Sequence, residues 1–219
     1  MKLLNPFFRM FPFLIMILCL FSAIFFFNPS ANAEDPSMYN FMIGDEQKEI
    51  LFSPELELER LNSLIEKEDD NADYHYNRGW LFERMDENDR AEEDYSRAIE
   101  LDKGHADALY NRGLIYLKTG RYELAIKDFT EVIILKPDSA DAFCNRGNAY
   151  LAQGNDVEAL KDFNSAIKID PQDPDLYYNR AVLYLSMGMK KEAIKDMLVA
   201  ARLGNDMARD YLDASGDRL

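Results

Sequence analysis

The sequence predicts an all-α solenoid of four helix hairpins with a capping helix at each end. Three observations predict it. Asn-Arg-Gly recurs at 77–79, 111–113 and 145–147 and continues as Asn179-Arg180-Ala181, a step of 34 residues each time. The same step relates Ala91, Ala125, Ala159 and Ala193, then Asp94, Asp128, Asp162 and Asp196, then Tyr95, Phe129, Phe163 and Met197. Within each step the apolar residues keep helical spacing in two runs, parted by Gly120, Gly154 or Gly188. A repeat of this length is one supersecondary unit that buries its apolar face only against its neighbours.

The elements follow in order. Residues 1–33 have the parts of a secretory leader: Lys2 and Arg9, an apolar run over 10–27, and Ala31-Asn32-Ala33, with cleavage expected after Ala33. A cut chain would be periplasmic or secreted. The run is nearly long enough to span a bilayer, so an uncleaved inner-membrane anchor is the alternative. Cys19 lies inside it with no small residue before it, which speaks against a lipoprotein. Residues 34–53 carry Tyr39, Phe41, Met42, Ile43, Leu51 and Phe52, too apolar for a pure linker, and read as an extended linker or a groove-filling segment.

A capping helix is expected within 54–71, with Leu56, Leu61, Leu64 and Ile65 on one side. The units are then 72–105, 106–139, 140–173 and 174–207, counting Ala72 as position 1. In each, a first helix ends before the turn at position 15. A second runs to a break near position 32, where Pro137 and Pro171 stop it. Antiparallel packing sets position 8 (Gly79, Gly113, Gly147, Ala181) against the alanine at position 20, a close crossing flanked by residues such as Leu109, Tyr116 and Phe129. Gly204 ends the last repeat helix. A closing helix begins at Asp206 with Met207 and Tyr211 turned inward, and 208–219 forms the C-terminal cap and tail.

Composition narrows the function. The formal charge is −15, from 25 Lys and Arg against 40 Asp and Glu, and nucleic-acid binding needs a clustered basic face instead. Removing 1–33 takes away two basic residues and no acidic one, so a cut chain stands at −17. Eight of the 14 Phe lie in the first 27 residues and do not belong to the folded core. Loss of Cys19 leaves Cys144 alone, so packing rather than a disulfide must hold the domain together.

The 34-residue period, Gly79, Gly113 and Gly147, the aromatics Phe82, Tyr116, Tyr150 and Tyr184, the alanine columns and the prolines together resemble the tetratricopeptide repeat family over 72–207. The resemblance implies a right-handed α-solenoid whose first helices line a concave groove, with positions 2, 5, 6, 9, 12 and 13 turned toward it. It also implies a non-catalytic module that binds protein or peptide segments. The terminal units depart from the pattern: His75 stands at position 4 of the first, Ala181 at position 8 of the fourth, and Lys103 and Asn205 replace the proline. Terminal units of solenoids are atypical because they cap the stack.

Candidate binding residues follow from that groove. Asn77, Asn111, Asn145 and Asn179 place one amide per unit at position 6, where Asn is a mediocre helix former. An amide offers a donor and an acceptor, matching a peptide group. Units stand roughly 10 Å apart, about three residues of extended chain. The column is similar to the asparagine ladder of superhelical members of the family. The alternative is that these amides only bond neighbouring helices. Tyr76, Tyr110 and Tyr178 at position 5 and Trp80 at position 9 would add contact area. Asp73, Asp107, Asp141 and Asp175 at position 2 are read first as helix-start caps and dipole partners, then as an acidic groove edge with Asp107 and Asp141 at its centre.

Arg78, Arg112, Arg146 and Arg180 at position 7 lie level with the aspartates at position 23, and an internal ion pair satisfies both. The carboxylate-gripping members of the family carry Lys at positions 2 and 5. Asp and Tyr or Cys stand there in this chain, so a basic or hydroxyl-rich segment suits it better than an acidic tail. His75 and His105 sit at no metal-like spacing, and Asp170, Asp173 and Asp175 read as caps rather than a Ca²⁺ site. No catalytic constellation, metal or cofactor is expected. The function expected is a non-catalytic adaptor or assembly scaffold. The alternative is a structural module filled by its own residues 34–53, which self-associates or stays at the membrane through an uncleaved leader.

Overall fold

The structure, a computed structural model, describes residues 54–216. The leader, its cleavage site and the 34–53 segment lie outside the described residues. Among those described there are ten helices and no strand. They are α1 (Pro54–Ile65), α2 (Ala72–Arg84), α3 (Asn88–Leu101), α4 (Ala106–Lys118), α5 (Tyr122–Leu135), α6 (Ala140–Ala152), α7 (Asp156–Ile169), α8 (Pro174–Ser186), α9 (Lys190–Leu203) and α10 (Asp206–Ser215). None is long and apolar enough to cross a membrane. The pairs α2–α3, α4–α5, α6–α7 and α8–α9 are the four hairpins, each packed on the next, with α1 and α10 at the ends.

Each hairpin turns through a left-handed residue at position 15. Gly120, Gly154 and Gly188 have φ of 74°, 75° and 73°, and Asp86 takes the same place in the first unit at φ 59°. Asp is one of the few side chains that tolerate this region.

Helix starts correct the capping expectation. The aspartates at position 2 are not the caps. That duty belongs to the residue just before each first helix and before α10: Asn71, His105, Ser139, Asp173 and Asn205 accept backbone N–H bonds from the first turn. The position-2 aspartates are the second helical residue, where a carboxylate opposes the helix dipole without reaching the free amides.

The close crossing at position 8 has a different neighbour from the one expected. A Cβ on Gly113 or Gly147 would lie 2.9 Å from the ring of Phe129 or Phe163, and one on Gly79 3.0 Å from the Tyr95 ring. The aromatic at position 24 demands the glycine, more than the alanine at position 20. Where that aromatic becomes Met197, position 8 is Ala181, and both are fully buried in one cluster.

The C-terminal cap also differs. Ala208 and Leu212 are its buried residues, while Met207 is 62% exposed. Four residues join earlier units (102–105, 136–139, 170–173), but only Gly204 and Asn205 separate α9 from α10. Gly204, at φ 112°, closes α9 at once. The helix starts at Asp206, two residues ahead of where a further 34-residue step would place it, and in that register Met207 turns outward.

Candidate functional site

First helices of successive units touch, α4 with α6 and α6 with α8, so this side forms the inner wall. The arginines at position 7 do not face it. Arg112 donates through Nε and Nη2 to both carboxylate oxygens of Asp128, each at 2.8 Å, and through Nη1 to Ser96 Oγ of the preceding unit at 3.0 Å. Arg146 repeats this with Asp162 and Thr130, and Arg180 with Asp196 and Asn164. Arg78 pairs with Asp94 and reaches Asn62 of α1. The aspartates are buried and the pairs bidentate. No arginine of this set is left for an anion.

Asn62 carries a second message. It stands 34 residues before Ser96, and Leu61, 1% exposed, stands 34 before Tyr95. The helix α1 therefore occupies the place of a second helix of a further unit, a register the Asn-Arg-Gly signature does not reveal.

Three of the four position-6 amides are held from one side. Asn145 donates to the Tyr110 hydroxyl at 2.9 Å and Asn179 to Cys144 Sγ at 3.2 Å, each linking position 6 to position 5 of the unit before. Asn111 donates to the Tyr95 hydroxyl at 3.3 Å, and that hydroxyl donates to Glu83 at 2.6 Å. Asn77 is exposed and forms no side-chain hydrogen bond among the described residues. None of the four Oδ1 atoms accepts a hydrogen bond there.

The aromatics are set more deeply than bare contact residues. Tyr76, Tyr110 and Tyr178 are half-buried. The Tyr76 ring lies 4.8 Å from the His105 ring, and Tyr110 meets Phe129 edge-on at 5.8 Å. Burial first, and the nearby Asp141 charge second, push the Tyr110 phenol up to about 12. Trp80 is 42% exposed, with the Arg84 guanidinium 4.7 Å from its ring centre. Position 12 adds Leu117, Leu151 and Leu185, half-buried, with Glu83 in the first unit.

The acidic edge is unequal. Asp73 lies 3.4 Å from His105 Nε2, Asp107 pairs with Lys136 at 2.7 Å, and Asp175 accepts from Asn205 at 2.7 Å. Asp141, exposed, has no partner among the described residues, because the third unit has Asp170 where the second has Lys136. Asp170 and Asp173 are engaged as turn and cap acceptors. Burial pushes the Cys144 thiol up to about 11, with Asp173, Asp141 and Asp175 adding to the effect, so the thiol is neutral and unreactive at ordinary pH. No group of three or more metal-ligating side chains occurs among the described residues.

Profiles described as tetratricopeptide repeat match residues 58–106, 76–140 and 174–203, and one described as TPR repeat matches 147–188. Among solved structures, MamA from Desulfovibrio magneticus RS-1, residues 41 to the end, superposes with a TM-score of 0.68 at 21% identity, covering 73% of this chain and 91% of that one. Another MamA crystal structure gives 0.68 at 20% identity over 76% of this chain and 98% of that one. A tetratricopeptide repeat protein from Parabacteroides merdae ATCC 43184 gives 0.56 at 29% identity, covering 66% and 56%. No curated protein matches the chain. The likeness to MamA is one of fold.

Proposed function

The chain belongs to the tetratricopeptide repeat family, and on that premise we propose that it is a non-catalytic adaptor that holds an extended polypeptide segment along its inner wall. A protein-interaction or scaffold role is what the family and fold support. The finer reading rests on one observation: no Oδ1 of the position-6 amides accepts a hydrogen bond among the described residues, while Asn145 and Asn179 are steadied through Nδ2 by the unit before. Amides fixed in this way are preorganised acceptors for peptide N–H groups, so little ordering entropy opposes binding. Tyr110, Tyr178 and Trp80 supply surface beside them, and the edge made by Asp107 and Asp141 favours a basic or hydroxyl-rich segment. Export into the periplasm or beyond, through the 1–33 leader, is part of the same proposal.

Asn77 gives the cleanest test, because it forms no side-chain bond to the scaffold. Asn77→Ala should leave helicity and the melting temperature unchanged while weakening capture of extended peptides. Asn145→Ala should weaken capture and also lower stability by about 1 kcal/mol through loss of the Tyr110 bond. Capture that is unaltered in both variants, read by titration against a peptide library, would refute the amide grip.

A further inference from the structure

Independently of the inner wall, we propose that the outer face docks a second copy of this chain, its ends exchanged, about a two-fold axis along α5. The second helix of each unit buries positions 20, 24 and 27. Positions 18, 22, 26 and 29 lie on the opposite side of the same helix, and none of them is buried. The helix α1 stands one 34-residue step before α3 and carries the same positions at Glu55, Glu59, Ser63 and Glu66. Charge on this face changes in one direction along the stack. It is −3 at α1 from those glutamates, and −2 at α3 from Asp89, Glu93 and Glu100 against Arg97. It is −1 at α5 from Glu123 and Glu131 against Lys127, +2 at α7 from Lys161 and Lys168, and +3 at α9 from Lys191, Lys195 and Arg202.

That order is complementary to itself. An isologous contact presents the same patch from both copies, and a two-fold axis along α5 keeps each helix position while exchanging the ends. The α1 of one copy then meets the α9 of the other, and α3 meets α7. Glu55, Glu59 and Glu66 face Lys191, Lys195 and Arg202 position for position, and Glu93 and Glu100 face Lys161 and Lys168. No like charges meet outside α5, where Lys127 lies between Glu123 and Glu131 and can pair with either across the axis. A second observation falls on the axis itself. Ile134 of α5 is 65% exposed, more than any other large apolar side chain among those described, and there it meets its own copy. The end charges Glu55, Glu59, Glu66, Lys191, Lys195 and Arg202 form no side-chain hydrogen bond or ion pair among the described residues. An anionic lipid surface would suit the basic end and repel the acidic one, whereas a second copy engages both. Exposed ion pairs each contribute little, so the contact is weak and falls with salt.

The test uses the full chain carrying Cys19→Ser, in which buried Cys144 is the remaining native thiol. Ile134→Cys should form a disulfide-linked dimer under mild oxidation at low salt, several-fold more than Met207→Cys, which is about as exposed but lies off this face. Raising the salt to about 0.5 M, where screening cuts the reach of charge to a few ångströms, should remove most of that yield. In the Ile134→Cys background, Glu55→Lys with Glu59→Lys and Glu66→Lys makes both ends basic, and Lys191→Glu with Lys195→Glu and Arg202→Glu makes both acidic. Each set alone should lower the yield several-fold, with helical content unchanged by circular dichroism. Mixed, the two should form a heterodimer at the parental yield, which also shows that both are folded. Crosslinking that either reversal leaves unchanged, or a mixture that stays uncoupled, overturns the proposal. So does a chain that sediments with vesicles of anionic lipid through Lys191, Lys195 and Arg202 and gives no crosslink at position 134, which assigns the basic end to a membrane.

Discussion

Arg146 shows how a residue that invites a functional reading serves the scaffold. Its side chain is 16% exposed and that of Asp162 6%, so both charges are largely out of water, and each satisfies the other. Such pairs gain little over apolar replacements but are costly to halve, since the survivor is left buried and alone. Arg146→Met should therefore destabilise the protein by about 3 kcal/mol in urea unfolding, while Arg146→Met combined with Asp162→Leu should return to within about 1 kcal/mol of the parent. A double variant as unstable as the single one would mean that the Thr130 contact, not the ion pair, carries the cost. This pairing was legible in the sequence, because positions 7 and 23 are equidistant from a turn marked by glycine. The third contact was not, because it crosses between units and its partner varies among Ser, Thr and Asn.

At the scale of the element, the first helix carries a glycine in its interior, where alanine would ordinarily stabilise by about 1 kcal/mol. The opposite is expected at position 8. Gly113→Ala forces a Cβ to 2.9 Å from the Phe129 ring, which is itself fully buried and has nowhere to retreat. Overpacking of this kind costs about 1–3 kcal/mol, so denaturant midpoints should fall. Gly113→Ala with Phe129→Met should recover most of the loss, since the fourth unit is built this way with Ala181 and Met197. Failure of the second change to rescue the first would locate the strain elsewhere. The period alone placed the hairpins, and with them the columns of Asn, Tyr and Asp. It could not place the caps, which depend on backbone geometry ahead of the helix rather than on position within it. The start of α10 was legible from Gly204 and not from the period, since a 34-residue count has no way to register a shortened turn, and the face it buries, with Met207 outside, followed from neither.

For the whole molecule, the contacts between units are interchangeable, and this makes the solenoid divisible at one spacing only. Removing 106–139 joins His105 to Ala140. His105, which caps α4 by accepting from Ala108, would then precede Ala142 at the same distance along the helix. Asn145 would face Tyr76 in place of Tyr110, and the free Nη1 of Arg146 would meet Ser96 in place of Thr130, a hydroxyl for a hydroxyl. Nearest-neighbour stacking then predicts a shorter folded solenoid with its remaining interfaces intact. Its unfolding free energy should drop by about 2–5 kcal/mol, the ordinary worth of a segment this long. Helical content per residue should be unchanged by circular dichroism, and urea unfolding should stay cooperative. Removing 106–122 instead deletes α4 with its turn, leaving α5 without the helix that covers Phe129 and Asp128 without Arg112. That chain should lose cooperative unfolding although it is longer. The two deletions together ask whether stability follows the register or merely the amount of chain, and cooperative folding of both would end the claim that register decides.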